Sequence, residues 1–210
     1  MKAICICLPE APARIEKAKS HFESHGLTDV DFFTGINAPV AGLATWHTYE
    51  IDHPGCGFRM GAKPTGCWLG HYMVWNAMTR MPDDAYLVLE DDAELHEGFA
   101  QKFEQALHDV PSDYAFLYVG HCCMQHVPMT HVKGDVYEVH TTNDAYGPIK
   151  SVMCTHAYVI RRTIVPYCLR TLRKCWAPVD IQLSREVFPN VKVYVVMPRI
   201  ISQFDTVIPP

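Results

Sequence analysis

The sequence predicts an α/β layer fold with a mostly parallel central sheet flanked by helices. Two observations lead there. Short apolar runs alternate with stretches of helical periodicity along most of the chain, and one run, Leu87 to Leu89, stops abruptly at three consecutive carboxylates, Glu90, Asp91 and Asp92. In such folds ligands sit at the carboxyl ends of the strands, which is where this acidic stop falls. With 210 residues the chain is read as a single domain, 1–210, able to bury a sizeable core.

Ala3 to Leu8 is the first apolar run, closed by Pro9. Ile15, Ala18 and Phe22 follow at helical spacing, with Pro12 near the helix start and Gly26 near its end. Val30 to Phe33 reads as a second strand. Gly35 to Met60 is rich in Gly, Pro and His and holds no period, so it is a functional loop or an insertion. From Pro64, the residues Cys67, Leu69, Tyr72, Val74, Trp75 and Met78 mark a largely buried helix running into the Met81-Pro82-Asp83-Asp84 turn. The acidic strand comes next. Phe99, Phe103, Ala106, Leu107 and Val110 form an amphipathic helix stopped by Pro111, and Tyr114 to Val119 is a strand ending at Gly120. An irregular segment with Val136 to Val139 and a turn at Asn143 to Pro148 precedes a strand at His156 to Ile160 and a helix at Thr163 to Leu172. Pro178-Val179-Asp180 opens a further short helix, and Val191 to Val196 is the last clear strand.

The apolar share of 49%, charged share of 20% and net charge of −5 are ordinary for a globular chain and argue against a nucleic-acid partner. No apolar run approaches a membrane span, and Met1 to Pro9 is too short and too soon interrupted for a signal peptide, so no transmembrane segment and a cytoplasmic or nuclear location are expected. Nine cysteines, an odd number without regular spacing, read as reduced thiols rather than a disulfide framework. The cluster His121-Cys122-Cys123-Met124-Gln125-His126, followed by His131, contains zinc-type ligands, but a lone Cys/His loop without a second knuckle favours a structural reading.

Side chains alternate along a strand, so Glu90 and Asp92 are expected on one side and Asp91 on the other. Convergent carboxylates make a hard oxygen site suited to Mg2+ or Mn2+; a solvated acidic loop is the plainer alternative. Three other places could converge on it. Gly66 and Gly70 with His71 lie early in the preceding helix, where glycine permits close backbone approach, though His71 could equally be a core histidine. Thr155-His156-Ala157-Tyr158 brings polar side chains into a strand, or forms an edge strand with a wet face. Asp180 stands at a helix N-terminus, as a cap or as a base. Phosphate-cradling Gly-rich loops and the Gly-x-Ser-x-Gly elbow are missing from the sequence, so a metal that itself holds a diphosphate leaving group is the better match.

The ordered strings GCWLGHYMVW, YLVLEDDAELH, FLYVG, THAYVIRR, PVDIQL and PRIISQ resemble glycosyltransferase family 25, the lipopolysaccharide-biosynthesis and collagen-galactosyltransferase-like group, over roughly residues 1 to 204. The resemblance implies a GT-A type nucleotide-sugar-binding fold, a UDP-galactose or UDP-glucose donor, a carbohydrate or glycosylated acceptor, and Mn2+ or Mg2+. It implies a hexosyltransferase, working with inversion, in which Asp92 and Glu90 hold the metal. His71, Glu90, Asp91, Thr155, His156 and Tyr158 would line the donor site, and Asp180 would be the base. The chain departs from the family pattern at Gly70, where serine is usual, at Thr65, and in the amino-terminal stretch, where only Arg14 of an Asn-Leu-x-x-Arg-x-x-Arg pattern is kept. A non-catalytic sugar or nucleotide-sugar binding module on the same fold is the alternative that these departures raise.

Overall fold

The computed structural model describes residues 1–8, 10–36, 61–122, 124 and 126–204. The irregular stretch expected from Gly35 to Met60 lies outside them beyond Ile36. In chain order the elements are β1 (Lys2–Cys7), α1 (Pro12–Ser24), β2 (Val30–Thr34), α2 (Ala62–Met78), β3 (Ala85–Glu90), β4 (Ala93–Leu95), α3 (Phe99–Asp109) and β5 (Phe116–Cys122). They continue with β6 (Met129–Lys133), β7 (Val136–Val139), β8 (Thr142–Asp144), β9 (Gly147–Ile149), β10 (Met153–Arg161), α4 (Val165–Thr171), α5 (Val179–Gln182), β11 (Val193–Val196) and β12 (Ile201–Gln203).

Eight strands form one sheet in the order β2-β1-β3-β10-β5-β11-β7-β6. Strands β2, β1, β3, β5, β11 and β6 run one way, and β10 and β7 run the other. The expected α/β sheet is therefore present, but the strand read at His156 to Ile160 is longer and antiparallel to both neighbours. Strand direction leaves no trace in side-chain alternation, so the sequence could not show this. The wet-edge reading of Thr155 to Tyr158 is also overturned: β10 sits in mid-sheet, and Thr155 and His156 are buried. The segment read as irregular around Val136 is a hairpin of β6 and β7. One strand beyond the last expected one, β12, pairs with β4.

Alternation along the strands builds two cores. Ile4, Val88, Tyr118 and Tyr158 face Trp75 and Met78 of α2, Cys168 of α4 and Val179 of α5. Cys5, Leu87, Leu89, Leu117 and Val159 face Ala18 and Phe22 of α1 and Phe99 and Ala106 of α3. Each fully buried large side chain contributes roughly 1.5–3 kcal/mol. Helix α1 starts with Pro at its first turn and ends where Gly26 takes φ +82°, with Gly26 N–H bonded to Glu23 O and Leu27 N–H to Phe22 O. That pair of bonds is the Schellman closure, which a left-handed glycine permits.

The end of α3 pins the β6–β7 turn. The buried Asp109 carboxylate pairs with Lys133 Nζ at 2.7 Å and accepts from Gln105 Nε2 at 2.8 Å. Gly134, at φ +54°, leaves room for it, since a Cβ there would come within 2.4 Å of Asp109 Oδ2. The Lys133, Gln105 and His108 hydrogen bonds hold the Asp109 carboxyl well below its unperturbed value of 3.8. A depressed carboxyl stabilises the fold above that unperturbed value and loses its contribution as pH falls toward the folded value. We therefore expect Asp109→Asn to be less stable than wild type in urea at neutral pH, with the gap closing below about pH 4; a pH-independent gap would count against this account.

Candidate functional site

Strand β3 carries Glu90 onto the face covered by α2. Cys67, His71 and Trp75 repeat every fourth residue of that helix and so lie on one side of it. Glu90 Oε1 accepts from His71 Nε2 at 3.2 Å and from Thr155 Oγ1 at 2.9 Å, with Cys67 Sγ at 4.0 Å. Behind it, Trp75 Nε1 donates to the Tyr158 hydroxyl at 3.0 Å, and that hydroxyl lies 2.9 Å from His71 Nδ1. An indole can only donate, so the Tyr158 oxygen accepts from Trp75 and also bonds His71 Nδ1, which orients the ring with Nε2 toward Glu90. Burial would raise the Glu90 carboxyl, but the His71 and Thr155 hydrogen bonds outweigh it and bring the group below its usual range. Gly70 lets α2 close on β1, because a Cβ there would lie 3.1 Å from Ile6 Cγ2. That contact gives a steric reason for glycine where the family usually has serine.

The expected alternation of the three carboxylates stops at Glu90. The strand ends there, and a turn at Asp91 and Asp92 gives Asp91 a partner on α1 and Asp92 a partner on β12, while both still line one cavity with Glu90. Asp91 Oδ1 pairs with Arg14 at 2.5 Å, and Asp92 Oδ2 accepts from Gln203 Nε2 at 3.2 Å. Asp91 Oδ2 and Asp92 Oδ1 are buried with no hydrogen-bond partner among the described residues. Burial raises the Asp91 carboxyl against the pull of Arg14. Burial, then the charge of Glu90, pushes Asp92 up to about 6.

Two cavities meet at this turn. One of about 440 Å³ is lined by Arg14, Lys63, Cys67, His71, Glu90 and Asp92 among others. The second, about 290 Å³, is lined by Arg14, Lys17, Asp91, Asp92 and Phe204, with Lys17 Nζ 3.8 Å from the centroid of the Phe204 ring. The two unpartnered carboxylate oxygens suit a hard cation, which takes anionic oxygen ligands. Asp91, Asp92 and Glu90 are the residues that could hold one.

Because β10 runs against its neighbours, its first residues reach the same edge as the ends of β3 and β5. The register with β5 shifts between Met153 and Ala157, and Cys154 takes φ +68°, the one non-glycine residue with positive φ among those described. Such bulges re-aim side chains, and here Thr155 is turned onto Glu90. Cys154 N–H donates to Asp180 Oδ2 at 3.0 Å. The cap reading of Asp180 is corrected: Pro178 is the N-cap of α5, and Asp180 lies in the first turn, its Oδ1 accepting from Ile181 N–H at 2.9 Å. Asp180 does not line the larger cavity. Tyr158 and His156 are buried behind the site rather than opening onto it, and His71 alone of the predicted histidines lines a cavity.

The thiol reading is corrected as well. Cys122 and Cys154 form a disulfide across β5 and β10 with a Cα–Cα distance of 5.8 Å, while Cys5, Cys7, Cys67, Cys168 and Cys175 are free. A separation of 32 residues gave no hint of it, since only strand pairing makes the two neighbours. His121 is buried and bonds through Nε2 to Val196 O at 2.9 Å, so the loop read as a zinc candidate does not present it as a ligand. Cys123 and Gln125 lie outside the described residues.

Residues that sequence reasoning did not place are Arg14, Gln203, Trp68 and Gln182. Gln182 is buried, accepts from Trp68 Nε1 at 2.9 Å and donates to Lys174 O at 2.9 Å, fixing α5 against α2. Their signal lay in the family strings, which include Trp68, Gln182 and Gln203, and in the one arginine kept in the amino-terminal stretch.

A mixed sheet with an acidic pocket at the carboxyl ends of β1 and β3, covered by helices on both faces, defines an α/β layer protein with a candidate ligand site at its strand ends. Residues 1–183 match glycosyltransferase family 25 (LPS biosynthesis protein), and the chain belongs to that family. It is 30% identical over 110 residues to a glycosyltransferase 25 family member of Aedes aegypti, a match covering 50% of this chain and 18% of that protein. It is 25% identical over 154 residues to a protein named as a glycosyltransferase in Acanthamoeba polyphaga mimivirus, covering 70% of this chain and 42% of that one. The chain thus spans less than half the length of either relative. Among solved structures it is similar to HddC from Yersinia pseudotuberculosis complexed with GMP-PN, at 11% identity and a TM-score of 0.45, covering 93% of this chain and 91% of that one. A likeness of that size carries no functional information.

The Trp75–Tyr158–His71 chain yields a direct test. Tyr158→Phe leaves a buried indole N–H and a buried imidazole nitrogen without partners, which costs roughly 1–3 kcal/mol. Urea unfolding should show that loss; unchanged stability would mean that water or rearrangement satisfies both groups.

Proposed function

We propose that the chain is the donor-binding and catalytic unit of a metal-dependent glycosyltransferase, with a GT-A type fold, that moves a hexose, galactose or glucose, from a UDP-sugar to an acceptor hydroxyl with inversion. The observation that carries this reading is the pair of buried carboxylate oxygens on Asp91 and Asp92, without partners among the described residues, beside a cavity of about 440 Å³. Family membership supplies the reaction class.

In this reading Asp92 and Glu90 hold Mn2+ or Mg2+, with Asp91 beside them. Three donors or near-donors converge on Glu90 Oε1, which leaves Oε2 as its oxygen for a ligand. The ion, when bound, offsets charge on the departing diphosphate. Arg14 offsets the charge of Asp91 and so reduces repulsion among the three carboxylates at the turn. Lys63, exposed at the cavity wall, adds positive charge where a diphosphate would enter. His71 and Thr155 fix the Glu90 carboxylate so that it need not reorganise during the reaction. Asp180 takes the acceptor proton, oriented by the Cys154 N–H.

The first experiment is release of UDP from a panel of UDP-sugars, with Mn2+ and with chelator. Metal-dependent release in wild type, lost by a factor of about 10² or more in Asp92→Asn with an unchanged melting midpoint, is expected. Turnover retained in that variant would remove the metal assignment, and donor binding without release in wild type would favour the binding-module reading. Asp180→Asn should lower kcat by roughly 10²–10⁴ while leaving donor KM and stability close to wild type. Loss of stability with kcat intact would assign Asp180 to holding the bulge of β10 instead.

A further inference from the structure

Cys122, Cys154 and His156 form a second ligand cluster, carried by β5 and β10 and outside the cavities described. One ligand atom from each, two sulfurs and an imidazole nitrogen, lie within 4.8 Å of one another. Tetrahedral bonds of about 2.3 Å to sulfur would hold two thiolates roughly 3.8 Å apart, so the three residues are within the reach of one ion once the sulfurs are no longer bonded to each other. Independent of that spacing, His156 Nδ1 is buried with no hydrogen-bond partner among the described residues, and Nε2 makes only a 3.4 Å contact to Ile201 O. His156 is 1% exposed, and an unpartnered imidazole nitrogen at that depth is unfavourable unless something binds it. The ring is also seated by the sequence. A Cβ on Gly120 would come within 2.4 Å of His156 Nε2, so glycine at 120 is what admits the imidazole to this position.

We propose that Cys122, Cys154 and His156 are a redox-gated zinc site: closed as a disulfide under oxidising conditions, and binding Zn2+ through two thiolates and one imidazole when reduced. Two thiolates and an imidazole are the donor set that selects zinc over magnesium and manganese, which prefer the carboxylate oxygens of the Asp91–Asp92 turn. The site therefore does not compete with the proposed donor site and does not rest on it. Reduction proceeds by attack of a dithiol on one sulfur of the disulfide, through a mixed disulfide. The dithiol leaves oxidised to its own disulfide, and Cys122 and Cys154 become thiols. Binding the ion then releases their two protons to solvent. Half-buried Cys154 offers a route of attack, where Cys122 and His156 are buried. A fourth coordination position is left for water.

The test uses the whole chain, reduced with a phosphine, stripped with chelator and titrated with Co2+ under argon, followed by Zn2+. Reduced wild type should take one equivalent of Co2+ with thiolate-to-metal charge-transfer absorption, displaced by one equivalent of Zn2+, and the disulfide form should take none. Cys122→Ser and Cys154→Ser should lose the absorption, and His156→Ala should bind at least about 10-fold more weakly. A Cys67→Ser control should retain it, separating this cluster from the Cys67–His71–Glu90 group. No thiolate absorption in reduced wild type, or absorption that persists in both serine variants, overturns the proposal. If a serine variant fails to fold, alkylation of reduced wild type decides: Zn2+ should protect Cys122 and Cys154 from modification relative to metal-free reduced protein, and equal labelling with and without Zn2+ overturns the site. Neither readout depends on glycosyl transfer, so the two proposals fail separately.

Discussion

A carboxylate delivered by an apolar strand into the interior must be met by donors, and the way Glu90 is met fixes the rest of the site. Its partners come from two other elements, His71 on α2 and Thr155 on β10, and the histidine is itself held by Tyr158 and Trp75. Removing any one member leaves a buried polar group without a partner, which is why such networks specify a single arrangement when complete. Helix α2, strand β3 and strand β10 are locked to one another through one oxygen atom. The position of Gly70 against Ile6 closes the same helix on β1.

Against that satisfied carboxylate stand two that are only half satisfied. Asp91 gives one oxygen to Arg14 and Asp92 one to Gln203, and each keeps a buried oxygen in reserve. Glu90 is thus tied to the framework through Oε1, while Asp91 and Asp92 each keep an oxygen that no described residue meets. Both line one cavity with Glu90, and burial together with the Glu90 charge raises the Asp92 carboxyl.

Much of this was readable from the residues. The alternation of runs, the Pro12 and Gly26 limits of α1 and the stop at Glu90 are local signals, and local chemistry decides them. What was not readable is what depends on pairing between distant strands. Nothing in Met153 to Arg161 states its direction or its place in mid-sheet, and nothing in the spacing of Cys122 and Cys154 states that β5 and β10 are neighbours. The strand alternation used for Asp91 and Asp92 does not apply to them, because the backbone turns after Glu90, yet both line one cavity with Glu90. Tyr158 and His156, polar residues in a strand, read as site-lining, and the structure uses them to fill and support the interior. The family strings placed Trp68, Gln182 and Gln203 in the right neighbourhood without saying that each secures another element.

The reversed strand β10 has a consequence for how the protein is made. Among the described residues it alone joins the β2-β1-β3 strands to the β5-β11-β7-β6 strands, and it leaves the ribosome only after both β3 and β5 have been synthesised. Until residue 161 emerges, the facing edges of Leu87 to Leu89 and Leu117 to Val119 have no strand between them, and open apolar edges of that kind pair readily with other chains. A nascent chain stalled short of this strand carries the β2-β1-β3 group, β5, the β6–β7 hairpin and the acidic turn, but no Thr155 and no bulge. Productive synthesis of this protein is therefore a race between arrival of one nine-residue strand and association of the edges that wait for it.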